Sequence, residues 1–231
     1  LKVAVFGANG RSGRAVLLTL AVAGHQVTGF ARDPAKVPPH AGVTPVAGDA
    51  LIPADVAAAV AGHDAVVVCL GDSTNPIALM LGYRRSTPPN ICEVGTANVV
   101  AAMQAASVKR LLCVTAYGVG STRELLTQAF RAWFLVLRLG EQRADKEKQE
   151  QVVRASGLDW TIVQPVGLTD GAYTGRWLAS AGGDRRKRTI SRVDLAAFIV
   201  QTLTTGAQHL REAVVVSGLT ILQAFPDHAG P

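Results

Sequence analysis

Residues Val3-Ala4-Val5-Phe6 run directly into Gly7-Ala8-Asn9-Gly10-Arg11-Ser12-Gly13-Arg14, and nothing else in the 231 residues restricts the fold as tightly. Four successive apolar residues suit a strand covered on both faces, as in a parallel sheet. Glycines at three-residue intervals let the backbone turn sharply and approach a ligand closely, since no Cβ stands in the way. Ala15 to Ala23 continues with helical character, so the turn opens onto a helix start whose free N–H groups carry partial positive charge. Strand, glycine turn and helix start in that order make a cradle for a pyrophosphate.

The same alternation continues along the chain. Strands are expected at 3–6, 26–31, 44–47, 65–70, 110–115, 160–163 and 213–216, with helices at 11–23, 53–61, 90–106, 123–136, 141–156 and 192–204. Asp33-Pro34, Gly48-Asp49 and Gly62-His63-Asp64 supply turns. This pattern predicts an α/β fold, a doubly wound parallel sheet of seven strands with helices on both faces, in a single domain over residues 1–231.

Two connections are longer than ordinary, Gly71 to Pro89 and Gly167 to Ile190. Both follow strand carboxyl ends, where open α/β sheets bind ligands, so residues 72–90 and 167–190 are expected to cover a substrate. Ile77 to Tyr83 and Tyr173 to Trp177 would bring apolar and aromatic surface there; a plain surface loop is the competing reading. Phe130, Trp133, Phe134 and Leu137 recur at helical spacing and suit core packing, a lid, a dimer contact or a membrane-surface helix.

Hydrophobic residues make up 48% and charged residues 17% of the chain, which fits a globular enzyme. No uncharged apolar run reaches the length of about 18 residues needed to span a bilayer; Phe130 to Leu139 is broken by Arg131 and Arg138. The first residues already read as strand, so a signal peptide and membrane insertion are not expected and a cytoplasmic location is. Cys69 and Cys113 lie in strand-like runs and Cys92 near a helix start, so three inert thiols are expected. Five scattered histidines show no metal-ligand spacing, and the absence of Gly-x-Ser-x-Gly removes the hydrolase reading.

A net charge of +6 and the run Asp184-Arg185-Arg186-Lys187-Arg188 raise the question of nucleic acid. No aromatic residues interleave with that run, as a base-stacking surface would need. Arg11, Arg14, Arg32 and Lys36 instead gather around the predicted cradle. The end of the second strand decides between the nicotinamide dinucleotides: an acid there serves the NAD ribose, cations serve the NADP phosphate. The chain reads Gly29-Phe30-Ala31-Arg32-Asp33, and a guanidinium on a phosphate dianion is a strong, oriented contact, so NADP(H) is expected. Asp33 heads an Asp-Pro turn and reads as a cap. Gly7, Asn9, Gly10, Arg11, Ser12, Gly13 and Arg32 are the expected cradle and phosphate residues. Asp49, after Gly48, is placed to accept from the adenine amine, and Leu70-Gly71 to pass the adenosine ribose.

Taken with Thr115-Ala116-Tyr117-Gly118, Asp145-Lys146 with Glu150, Ser156 to Val163 with Pro165, and Ile190-Ser191-Arg192-Val193-Asp194, these motifs resemble the atypical short-chain dehydrogenase/reductases. Within them, the chain is similar to the NmrA-like and biliverdin reductase B (flavin reductase) group. That resemblance covers essentially the whole chain and implies a Rossmann-type domain binding NADP(H). It also implies that Lys146 bonds the nicotinamide ribose and that Pro165-Val166-Gly167 passes beside the nicotinamide, the backbone of Val166 or Gly167 holding its carboxamide.

The chain departs from the family's catalytic patterns. Standard members carry a Tyr with a Lys four residues later; here Tyr117 is followed at that distance by Ser121. Flavin-reductase relatives carry a serine where this chain has Ala116. Thr115, Tyr117 and Lys146 remain as catalytic candidates, Tyr117 either donating a proton or lining the pocket. The expected function is NADPH-dependent reduction of a small apolar or aromatic acceptor, a quinone, flavin, enone or ketone, by a monomer or homodimer. A non-catalytic NADP(H) sensor and an isomerase or epimerase using bound cofactor are the alternatives.

Overall fold

The computed structural model describes residues 1–71, 87–125, 140–206 and 208–219. Its main sheet has the strand order β3-β2-β1-β4-β5-β6-β10-β8, comprising β1 (Lys2–Phe6), β2 (Gln26–Ala31), β3 (Val43–Ala47), β4 (Ala65–Val68), β5 (Arg110–Val114), β6 (Asp159–Pro165), β8 (Trp177–Ser180) and β10 (Glu212–Gly218). The pairings are parallel except that of β8 with β10. The chain winds outward from β1 to β3, then returns to β4 on the other side of β1. That reversal opens a crevice at the carboxyl ends of β1 and β4, where such sheets bind nucleotides.

Alternation along each strand divides the core in two. Val3 and Val5 join one apolar cluster and Ala4 and Phe6 the other; Val67 and Leu112 face the first, Val66, Val68 and Leu111 the second. Successive strand side chains point to opposite faces, so a strand buried on both must be apolar throughout. Helices α1 (Arg11–Val22) and α5 (Arg192–Thr204) cover the first face. Helices α2 (Pro53–Val60), α3 (Ile91–Ala105) and α4 (Gly140–Ala155) cover the second.

The predicted strands and helices lie within a few residues of those observed. The segment 167–190 differs from the expected open loop. It contains β7 (Gly167–Thr169), β8 and β9 (Thr189–Ser191); β7 and β9 form a separate two-stranded parallel ladder, and β8 adds an eighth strand to the main sheet. At three or four residues each, these strands are too short to leave a readable alternation. Trp177 packs edge-on against Phe198, ring centroids 6.5 Å apart, and joins the core, so it does not reach over the cleft as expected. Of the predicted helix 123–136, residues up to Leu125 belong to a short 3-10 turn (Gly120–Leu125). The remainder, with Phe130, Trp133 and Phe134, lies outside the described residues, as do Leu137 and Ile77 to Tyr83.

Candidate active site

The glycine loop divides its labour. A Cβ on Gly13 would stand 2.1 Å from the Gly7 carbonyl oxygen, and one on Gly7, whose φ is +82°, 2.6 Å from the Cys69 carbonyl oxygen. These two glycines let α1 and β4 close against the turn. Gly10 is the N-cap of α1, and no side chain caps that helix start, so its amides are left for an incoming anion. Asn9 donates to the Asp33 carbonyl at 2.8 Å, while its own side-chain oxygen is buried without a partner among the described residues. An orphaned acceptor beside uncapped amides is what a polar ligand with donors and phosphates would complete.

A cleft of about 610 Å³ opens there. Gly7, Asn9, Gly10, Arg11, Arg32, Gly48, Asp49, Leu70 and Gly71, all expected from sequence, line it together with Phe30, Asp33, Lys36 and Ile91. Asp33 caps the turn at Pro34–Lys36, accepting from the Ala35 amide at 3.2 Å, and pairs with Lys36 at 2.9 Å. That pairing holds the Asp33 carboxyl below its usual range. Asp49 Oδ1 accepts from the Leu51 amide at 3.0 Å. Gly48 is set by packing, since a Cβ would meet the Phe30 ring at 2.4 Å. Among the described residues nothing stands within 4 Å of where a Gly71 side chain would be, which suits a backbone passing a ligand.

The gathering of cations is looser than expected. Arg11 pairs with Asp170 at 3.4 Å, both largely exposed, and Asp170 also accepts from the buried Arg192. Arg14 donates to the Lys36 carbonyl at 3.1 Å and does not line the cleft. Ser12 and Gly13 are not among the lining residues either.

A second pocket of about 230 Å³ adjoins the first at Gly71 and includes Ala116, Tyr117, Val119, Arg143 and Lys146 in its walls. Lys146 projects from α4 and donates to the carbonyls of Leu70 at 2.7 Å and Val114 at 3.0 Å, and to Gln149 Oε1 at 3.0 Å. Two of its three protons thus span the ends of β4 and β5. Tyr117 Oη donates to the Leu125 carbonyl at 3.4 Å. Thr115 is buried behind the wall, its hydroxyl donating to Glu150 Oε1 at 2.7 Å.

Three sequence expectations change here. Thr115, with its single proton turned inward, is not presented as a donor to the pocket. Pro165, Val166 and Gly167 line neither cavity, and the N–H groups of Val166 and Gly167 already bond the Val216 and Arg188 carbonyls at 3.2 and 3.0 Å. Those two N–H groups are therefore spent rather than offered to a carboxamide. Tyr173 is exposed, and the turn at Thr174-Gly175 is held by Asp194 through three bonds of 2.8 to 3.0 Å.

Sequence reasoning missed the polar supports. Asp145, buried in α4, accepts the first amides of α3, from Cys92 and Glu93, at 2.9 Å each, while the N-cap Asn90 makes no side-chain cap bond. Gln149 donates to Thr96 at 2.8 Å between the same helices, and Gln164 donates to Glu150 at 2.8 Å and to the Val119 carbonyl at 3.1 Å. No local motif announces a cap from 53 residues away. All three thiols are raised above their ordinary value by burial, Cys69 to about 12 and Cys92 to about 11. No helix among the described residues is long and apolar enough to cross a membrane.

The sequence matches the NAD(P)H-binding family over residues 7–206. It is 27% identical over 210 residues to a protein of Bacillus subtilis (strain 168) named as an uncharacterized sugar epimerase, YhfK, covering 88% of each chain. Among solved structures, ChuY, described as an anaerobillin reductase from Escherichia coli O157:H7, superposes with a TM-score of 0.75 at 22% identity over 100% of both chains. A short-chain dehydrogenase/reductase from Veillonella parvula, solved in complex with NADP, gives a TM-score of 0.75 at 18% identity over 94% of each chain.

Proposed function

The chain belongs to the NAD(P)H-binding family, and on that premise we propose that it is an NADPH-dependent reductase of a small, flat, largely apolar acceptor. The observation that carries this is the junction at Gly71 of two cavities, one built on the glycine cradle with Arg11, Arg32 and Lys36, the other walled by Ala116, Tyr117 and Lys146. When bound, the dinucleotide supplies a hydride. In this reading the α1 amides and Gly10 receive its pyrophosphate, and Arg32, with Arg11 and Lys36, prefers the additional phosphate of NADP. Asp49 and the Leu70-Gly71 backbone border the adenosine half. Lys146 gives up one of its carbonyl bonds to hold the nicotinamide ribose, and Thr115 offers that side only lone pairs. Tyr117 is the one phenol among the described residues of the pocket wall and either protonates the acceptor or packs on it. The Veillonella parvula enzyme in complex with NADP and the reductase ChuY support the reading by analogy.

The test is titration of the protein with NADPH and NADH, followed by NADPH consumption against quinones, flavins, enones and ketones. Tighter NADPH binding with turnover of one class is expected. Equal affinity for the two cofactors overturns the NADP preference, and tight binding without turnover on any acceptor overturns the reductase in favour of a sensor. The sugar epimerase name of the Bacillus subtilis relative favours a second reading. Epimerisation of a sugar without net consumption of NADPH would select it.

A further inference from the structure

We infer that Asp170 sets how tightly the dinucleotide is held: it is a counter-ion built into the fold, which a phosphate of the cofactor displaces from Arg11. The inference rests on the dinucleotide half of the reading above and is independent of the acceptor. Asp170 follows β7 and Arg192 follows β9, and the parallel pairing of Thr169 with Ser191 brings the two side by side. Arg192, the first residue of α5, is 8% exposed and donates to Asp170 Oδ1. Arg11, the first residue of α1, donates to Oδ2 of the same carboxylate at 3.4 Å. Arg11 lines the cradle cleft, whereas Asp170 lines neither cavity. A guanidinium that faces the cofactor site is thus held from outside it.

The two arginines hold Asp170 unequally. Leaving a buried cation without its counter-charge is costly, and Arg192 Nε already has no partner among the described residues, so Arg192 must keep the carboxylate. The side chains of Arg11 and Asp170 are 74% and 66% exposed, and an ion pair that open is worth little and breaks readily. A phosphate oxygen beside the uncapped amides of α1 offers Arg11 a charge-assisted contact of its own. When Arg11 turns to it, Asp170 stays with Arg192, and no charge is left buried and alone. Binding nevertheless forfeits the pair of Arg11 with Asp170 and leaves a carboxylate close to the phosphates. Affinity is therefore lower than the cations of the cradle alone would give, which favours release of the spent dinucleotide.

Calorimetric titration with NADP⁺ and with NAD⁺ at low salt, where exposed charges are least screened, tests this. Asp170→Asn keeps a carbonyl acceptor for Arg192 and loses the charge, and it should bind dinucleotide about threefold more tightly, the scale of an exposed ion pair. Asp170→Ser, neutral and smaller, should do the same, so that one misfolded variant leaves the other to decide. In an Arg11→Gln background Asp170→Asn should change affinity by less than about 1.5-fold, because the carboxylate then has no guanidinium to compete for. A gain confined to NADP⁺ supports the inference and assigns the displacing group to the additional phosphate; an equal gain with both supports it and assigns the pyrophosphate. Unchanged or weaker binding in the folded neutral variants, or a gain undiminished in Arg11→Gln, overturns it. A wild-type protein that binds neither dinucleotide brings down the dinucleotide reading itself.

Discussion

The Thr115 hydroxyl donates to the Glu150 carboxylate at 2.7 Å, both residues being buried. Glu150 also accepts from Gln164 at 2.8 Å, and it lies against Gly120, where a Cβ would meet Oε2 at 2.1 Å. The pair therefore fixes the end of β5 and the turn that carries Tyr117. Thr115→Val removes the donor and leaves a buried carboxylate underbonded, at an expected cost of about 1–3 kcal/mol. Thr115→Ser should restore most of it, as read by chemical denaturation.

Arg32 should discriminate between the two cofactors. Arg32→Ala is expected to weaken NADPH binding by about 1.5–3 kcal/mol, the range of a charge-assisted contact, and NADH binding far less. Paired fluorescence titrations of the two cofactors check this.

Gly10 and Gly13 should fail differently. Among the described residues a Cβ on Gly10 meets only the Gly7 carbonyl oxygen, at 3.2 Å, so Gly10→Val should keep the fold while its branched side chain blocks both cofactors. Gly13→Ala places a Cβ 2.1 Å from backbone and should lower stability by about 3 kcal/mol. Thermal unfolding and cofactor titration on each variant separate the two effects.

Tyr117 and Lys146 should separate donor from positioner. If Tyr117 supplies the proton, Tyr117→Phe slows the single-turnover step by about 10²-fold or more with NADPH affinity intact. Lys146→Ala should lower affinity, turnover and stability together, because it removes the bonds to Leu70, Val114 and Gln149. A wild-type single-turnover rate in Tyr117→Phe leaves the phenol as pocket lining.

Burial pushes the Cys69 and Cys92 thiols up to about 12 and about 11 from an ordinary 9.0. The folded protein thus holds protons that the unfolded chain releases more readily. Their contribution to stability is complete below pH 9.0 and is lost as pH rises through 9.0 toward 11 and 12. Denaturation midpoints measured on both sides of 9.0 should fall on the alkaline side, and less so in Cys69→Ala and Cys92→Ala.

The sheet and the cradle were legible because β1 and β4 are buried on both faces and Gly7 and Gly13 answer a steric demand. Val3 to Phe6 had to be apolar at every position, and Gly7 and Gly13 leave no room for a side chain. The antiparallel edge strand Trp177–Ser180 was not legible, since its four half-buried residues carry no alternation. Nor were Asp145, Glu150 and Gln164. Their partners lie 53, 35 and 45 residues away, and only the folded chain joins them. Lys146 was placed beside the cleft from resemblance, but its bonds to two strand ends could not be read from a charged helical run.

The ladder of β7 with β9 brings Gly167 opposite Thr189, so the 21 residues between them begin and end side by side, and within them β8 forms the edge of the main sheet beside β10. Because β8 is an edge strand, this excursion can vary in the turns on either side of it without changing the register of the strands inside the sheet. It carries Arg185 to the Tyr117 ring and Asp170 to Arg11. An inherited cofactor platform can therefore acquire a new clientele by exchanging this one cassette.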